Sequence, residues 1–445
     1  MAKKYFLFFL FALLLSSCGK KLLLPQEPAD FFGESNVTWW RAYNDENLNT
    51  LVNFVLENNT DINVATVTLL STLARTKLLQ YDLYPTLDGG FELTKTKNLD
   101  TQVHSTTFGT RFALNYELDI YGKISDSANS QEFLAKASAF DLENLKLSIV
   151  NMTLNNVFEL AYCNDVEKLL KEHIFNLEQM QELYKFKYEL GKIEELDFLN
   201  TQQSLLRVKA NLLSNEQNRN LLLKNLQDLL GKKQGFDLIE YFKTASLSNF
   251  IFLKPNFNLP LDSFFFRPDI RSKLYNLKAA FKDYSAVRKS LLPSISLAGV
   301  LSGQDKTFNE SFQFQFLNGN LKISLPFLDY ARVRQNIKIS QFNYEKLLLE
   351  YQYQLQSALN EFTLVLKEYE SNMSLMENLT ILNTKDQLIA LAYKKKYELG
   401  KSELKDYLNA NNTVIASSQE LLRAQFSLLK TINSYFQITA FSDLH

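Results

Sequence analysis

The sequence predicts a mainly α-helical chain that also carries a transmembrane β-barrel. The helical part is a long α-helical barrel built from a duplicated, coiled-coil-like helix-hairpin repeat, and four β-strands per chain complete a 12-stranded barrel in a homotrimer. Three observations predict it. Residues 123–230 and 331–445 contain no proline and one glycine each, Gly191 and Gly400, so each stretch reads as two helices with one break. The breaks sit in the same word, Tyr188-Glu189-Leu190-Gly191-Lys192 and Tyr397-Glu398-Leu399-Gly400-Lys401, 209 positions apart, which marks an internal duplication. Between the helices, 86–118 and 294–325 each read as two strands with one apolar side around a polar loop.

Composition agrees. Of 445 residues, 46% are hydrophobic, and 48 basic side chains face 49 acidic ones. The chain is too apolar for disorder and too balanced for a nucleic-acid binder. Its 35 Phe outnumber its 13 Gly and 8 Pro together, so long elements are expected rather than many turns. The two cysteines, Cys18 and Cys163, and the three histidines, His104, His173 and His445, are far apart in sequence. Neither a disulfide framework nor a zinc cluster is expected, and no cofactor is.

In chain order, Lys3 and Lys4 precede an apolar run from Tyr5 to Leu15, the length of a signal-peptide core and too short to span a bilayer. Residues 1–17 are therefore a signal peptide. Leu15-Ser16-Ser17-Cys18-Gly19 is similar to the lipobox of bacterial lipoproteins, which implies lipidation at Cys18 and a lipid-anchored segment 18–45. A helix of the first repeat is expected over 46–85, and the first hairpin over 86–118. There Leu87, Phe91 and Leu93 alternate with Asp88, Gly90 and Glu92, and Phe108, Phe112, Leu114 and Tyr116 alternate with Gly109, Arg111, Ala113 and Asn115. A long helical hairpin follows over 119–230, its tip at 189–192, and its first helix alone reaches about 100 Å at 1.5 Å per residue.

The stretch 231–266, with Pro255 and Pro260, is unlike the long helices. The second repeat then brings a helix at 267–293, a hairpin at 294–325, a helical hairpin at 326–440 with its tip at 398–401, and a tail at 441–445. Its long helix carries a seven-residue apolar pattern, Leu355, Leu359, Phe362, Leu366, Tyr369, Met373 and Met376, a coiled-coil seam. In the second hairpin Phe312, Phe314 and Phe316 read as one strand face, followed by a parity slip at Asn318-Gly319-Asn320 that predicts a bulge or strand bend. No later stretch has the ~18 consecutive apolar residues of a membrane helix, so entry into a bilayer requires a closed β-barrel. Four strands cannot close one, whereas three copies supply about twelve.

These words, with Trp40 to Ala65, Leu83-Tyr84-Pro85, Leu118 to Lys123, Leu291-Leu292-Pro293 and Leu325-Pro326-Phe327, resemble the TolC-like outer-membrane factors, in their lipoprotein branch. The resemblance covers nearly the whole mature chain. It implies a homotrimer with its barrel in the outer membrane, a helical tunnel through the periplasm, and a mixed belt at 231–266. It also implies a passive duct that exports drugs or other small molecules with a periplasmic adaptor protein and an inner-membrane pump. Protein secretion or metal-ion export through the same fold is the alternative, and a lipid-anchored coiled-coil scaffold without a pore is the alternative of another class.

By the same resemblance the helix turns form the periplasmic tip where the adaptor docks, at Tyr188, Gly191, Lys192, Tyr397, Gly400 and Lys401. The aperture falls at Asp197, Tyr397, Ser402, Asp406 and Asn409. Two positions depart from the family pattern: Ser402 stands where an arginine is expected, and Asn409 where a second acidic ring is expected, leaving Lys401 as the substitute for the arginine.

No enzyme is expected. Gly400-Lys401-Ser402 looks like the end of a P-loop, but the glycine five residues earlier is Lys395. No hydrolase, zinc-protease or dinucleotide motif is present.

Overall fold

A computed structural model describes residues 38–231, 237–257, 259 and 261–439. The signal segment, Cys18 and the tail 441–445 lie outside the described residues. The chain divides into two units, one of 74–134 and 274–349, the other of 38–73, 135–273 and 350–439.

The helices are α1 (Glu46–Asn58), α2 (Thr60–Tyr81), α3 (Lys123–Glu189), α4 (Glu195–Leu230), the short α5 (Asp237–Glu240), α6 (Pro268–Lys289), α7 (Tyr330–Glu398) and α8 (Leu404–Thr439). With 67 and 69 residues, α3 and α7 are each about 100 Å long. The segment read as one helix over 46–85 is two, because Asn59 leaves the helical region (φ −60°, ψ 132°). Its Oδ1 accepts from the Asp61 and Ile62 N–H groups at 2.9 and 3.2 Å, capping α2. Its Nδ2 donates to the Leu229 carbonyl at 2.9 Å, which ties the break to the end of α4.

The larger unit is built on aromatic side chains just ahead of α1. Trp39, Trp40 and Tyr43 are almost fully buried; Trp39 meets Trp40 edge to face, and Tyr43 meets, edge to face, Phe158, which in turn meets Phe250. The Trp39 Nε1–H donates to Asn433 Oδ1 at 3.1 Å, and Asn433 Nδ2 donates to the Asn151 carbonyl at 3.1 Å. Such buried amides specify one packing because each unmet donor is costly. Among its described residues the stretch 231–266 holds α5 and three short 3₁₀ segments, Tyr241–Lys243, Leu247–Asn249 and Leu261–Phe266. Phe242, Leu247 and Phe250 from it join the same core. Arg267 is held at the start of α6 by Asp269 at 2.8 Å and Glu361 at 3.1 Å.

The smaller unit carries the sheet. Strands β1 (Thr86–Lys97), β2 (His104–Leu118), β3 (Ser294–Asp305) and β4 (Phe316–Ser324) form one antiparallel sheet in the order β1-β2-β3-β4. The β2–β3 pairing runs from Phe108 opposite Asp305 to Leu118 opposite Ile295 and joins the two hairpins. The register places Phe91 and Leu93, Phe112 and Leu114, Leu297 and Leu301, and Leu317 and Leu321 on one face. Asp88, Glu92, Arg111, Asn115, Asn318 and Lys322 lie on the other. Away from the loop that follows β3 the apolar face is open, with Leu87 74% and Leu317 80% exposed. An apolar sheet face without a core behind it suits lipid.

The second hairpin differs from its sequence reading. Strand β4 pairs without interruption through Val300–Asn318, Gly299–Gly319 and Ala298–Asn320, so no bulge interrupts those residues. The apparent slip arises because Phe312 and Phe314 are not in the strand. Glu310–Gln313 form a single 3₁₀ turn, and Phe314 takes φ 37°, which resets the alternation before Phe316. That loop folds back on the apolar face. Ser311 is fully buried and its hydroxyl lies 3.0 Å from that of Thr110, while Phe308 meets Phe91 and Phe314 meets Phe112. Gly303 permits this approach, since a Cβ there would lie 2.2 Å from the Ser311 carbonyl oxygen.

Where α3 and α6 meet in the same unit, Asp126 accepts from Lys282 at 3.0 Å, Ser285 at 2.6 Å and Lys289 at 2.5 Å. Burial alone would raise its carboxyl pKa, but these hydrogen bonds outweigh it and hold it below the ordinary carboxylate range.

Candidate functional site at the paired helix turns

Both glycine turns close with the same bonds. After α3, the Gly191 N–H donates to the Tyr188 carbonyl at 2.8 Å and the Lys192 N–H to Lys187 at 2.9 Å; after α7, Gly400 donates to Tyr397 at 2.9 Å and Lys401 to Lys396 at 2.7 Å. This is a Schellman ending, which needs a left-handed residue, and the glycines have φ +67° and +68°. A Cβ at either would meet nothing within 4 Å. The requirement for glycine is therefore one of backbone conformation, not of space.

The two turns come together through side chains that the sequence reading did not single out. Lys187 Nζ lies 2.7 Å from Glu403 Oε2, linking the end of α3 to the start of α8, and Lys187 keeps the Glu403 carboxyl below its ordinary pKa. Lys405 lies 5.6 Å from the Tyr184 ring centroid, and hydrogen bonding with the Tyr184 side chain raises its ammonium pKa. Behind them Leu170, Leu177, Met180, Tyr184, Leu205, Val208 and Leu408 pack as a small core of α3, α4 and α8. Tyr188 stacks on Phe198 across the first hairpin, with centroids 5.9 Å apart.

The expected aperture residues fall in three places. Asp197 and Asn409 line a cavity of about 400 Å³ with His173, Tyr184 and Arg207, where burial lowers the His173 pKa. Asp406 and Asn409 line a second cavity, of about 350 Å³, with Asp386 and Tyr393, so Asn409 is common to both. Asp406 also accepts from the Glu403 N–H at 3.2 Å, helping to start α8. Tyr397 lines neither cavity and is exposed, as is Lys401. The Ser402 hydroxyl donates to the Tyr393 carbonyl at 3.5 Å. Leu190 and Leu399, 52% and 69% exposed at the two apices, are further side chains that the sequence motifs do not mark as functional. Their signal was present, as an apolar residue repeated inside a solvent-facing turn.

The profile of the family described as outer membrane efflux protein matches residues 51–232 and 266–439. The chain belongs to that family. Among relatives of this outer membrane efflux protein, the toxin and drug export protein A of Aggregatibacter actinomycetemcomitans is 30% identical over 407 residues, 90% of this chain and 88% of the relative. The probable outer membrane lipoprotein SilC of Salmonella typhimurium is 22% identical, over 87% of this chain and 84% of its own length. The crystal structure of the Campylobacter jejuni CmeC outer membrane channel superposes with a TM-score of 0.80 at 22% identity, covering 95% of each chain. The sheet of this efflux protein accordingly belongs in the outer membrane, and the protein is an outer-membrane efflux channel.

Proposed function

We propose that the protein is a passive trimeric exit duct for drugs or other small molecules, reached from an inner-membrane pump through a periplasmic adaptor that docks on the paired turns. The apolar sheet face carries this reading. It is too exposed for a water-soluble unit, and the outer strands β1 and β4 leave backbone donors and acceptors that a bilayer cannot satisfy. Three chains, each offering β1 to the β4 of the next, would meet that demand with twelve strands. Tyr188, Gly191, Lys192, Tyr397, Gly400 and Lys401 would form the docking tip, and Asp197, Asp406 and Asn409 the polar lining of the aperture. In this chain Lys187–Glu403 and Lys405–Tyr184 hold the two hairpins together, in place of the arginine absent at Ser402. Cys18 would carry the lipid anchor.

The test is accumulation of a fluorescent efflux dye in a strain lacking the gene, with and without plasmid complementation. Accumulation that rises on deletion and falls on complementation supports drug efflux. Unchanged accumulation moves the reading to protein or metal-ion export through the same fold; toxin export is named beside drug export for the Aggregatibacter relative.

A further inference from the structure

The duplicated turns can be compared residue by residue over 185–197 and 394–406, the same 209-position offset. The backbone is repeated, but the charge is not. The first window sets Lys185, Lys187 and Lys192 against Glu189, Glu194, Glu195 and Asp197, a net charge of −1. The second sets Lys394, Lys395, Lys396, Lys401 and Lys405 against Glu398, Glu403 and Asp406, a net charge of +2. The contrast comes from three exchanges: Lys395 stands where the first turn has Phe186, Lys405 where it has Leu196, and Leu404 where it has Glu195.

The side-chain contacts widen this contrast. The Lys187–Glu403 pair takes one positive charge from the first tip and one negative charge from the second. Lys396 lies 5.4 Å from the Tyr393 ring centroid, and Lys405 rests on Tyr184. Among the described residues Lys394, Lys395 and Lys401 have no carboxylate within ion-pair distance, and all three are exposed. They flank in sequence Leu399, the most exposed apolar residue of the two tips. An uncompensated basic rim around an apolar apex is complementary to an acidic segment with an apolar contact of its own, and such charge complementarity sets partner choice and encounter rate.

We infer that the two tips are unlike docking sites, and that the second, at Lys394, Lys395 and Lys401, takes an Asp- or Glu-bearing segment of the adaptor, while the first takes a segment without that acidic excess. This rests on the docking reading given above. In a trimer the two kinds of site would be present three times each, so identical adaptor copies would meet them in two different ways.

The test is the double substitution Lys394→Glu/Lys395→Glu in the full chain, read by dye accumulation and by the heat-resistant trimer band on a gel. The expected result is accumulation close to that of the deletion strain with the trimer band intact, and an effect less than about half as large for Lys185→Glu in the first tip. Selection for regained efflux in the double variant is expected to yield acidic-to-basic replacements in the adaptor gene. Wild-type efflux in the double variant would overturn the inference, as would loss of the trimer band, which assigns the lysines to packing between subunits. Leu190→Asp/Leu399→Asp separates the two levels of the claim. If it abolishes efflux while lysine reversal does not, only the acidic partner is lost. If it also leaves efflux intact, the docking reading itself fails.

Discussion

At the residue scale the tips are governed by two unlike requirements. Gly191 and Gly400 are fixed by backbone conformation alone, so alanine at either costs about 1–2 kcal/mol through the left-handed strain and nothing through contact. Thermal melting of the purified protein should show a small, equal drop for the two variants, and unequal drops would mean that one turn has a contact the other lacks. Asp406 does two things, since it receives the Glu403 N–H and places a carboxylate on a polar cavity. Asp406→Ala is expected to weaken block by multivalent cations in single-channel recordings, roughly in proportion to the loss of three like charges from one ring. An unchanged record would leave Asp406 with its helix-starting role only. Gly191 and Gly400 were legible because each is the lone glycine of a proline-free stretch. Lys187–Glu403 was not, because 216 positions separate two ordinary charged residues, and only the packing of α3 against α8 makes them neighbours.

At the element scale, local pattern and tertiary contact competed, and the contacts won in two places. Asn59 has no turn signature strong enough to interrupt a helical pattern; its side chain breaks the helix by capping α2 while bonding Leu229 in α4. Phe312, Phe314 and Phe316 alternate as a strand should, yet the first two belong to a loop held down by Ser311. The long helices and the other strand faces were readable because each keeps one period over many residues. Gly303→Ala should dislodge the loop, since its Cβ would meet the Ser311 carbonyl oxygen. Limited proteolysis within 306–315 should then be much faster than in the wild type, and an unchanged pattern would show that the loop is held by its phenyl rings instead.

Asp126 supplies a second prediction at this scale. Its folded-state pKa is lowered, so its contribution to stability is present above the unfolded value of about 3.9 and is lost as pH falls through the lower folded value. Asp126→Asn should cost about 1–3 kcal/mol at pH 7. The gap between wild type and variant melting should close below about pH 4. A gap that persisted in acid would mean that the amide disturbs packing rather than charge.

At the scale of the whole molecule, the sheet order leaves β1 and β4 each with one unpaired side. Cysteine placed in turn along Thr86–Lys97, with a fixed cysteine at Asn320, should give oxidative cross-links between chains in a narrow set of positions and trap a three-chain species. Cross-links spread evenly along β1 would exclude a defined register. Cys163 should not interfere, because it is buried and its thiol is pushed up to about 11, so little reactive thiolate forms.

The open edges of the sheet also bear on gene dosage. In the trimer proposed above, a ring that closes only when three chains each lend one edge and accept another has no spare subunit, so one chain with a spoiled β1 or β4 would disable the whole ring. If half of the chains in a cell carried such a lesion and mixed freely, about one-eighth of the rings would be wholly sound. A damaged copy of this gene would therefore act dominantly over an intact one.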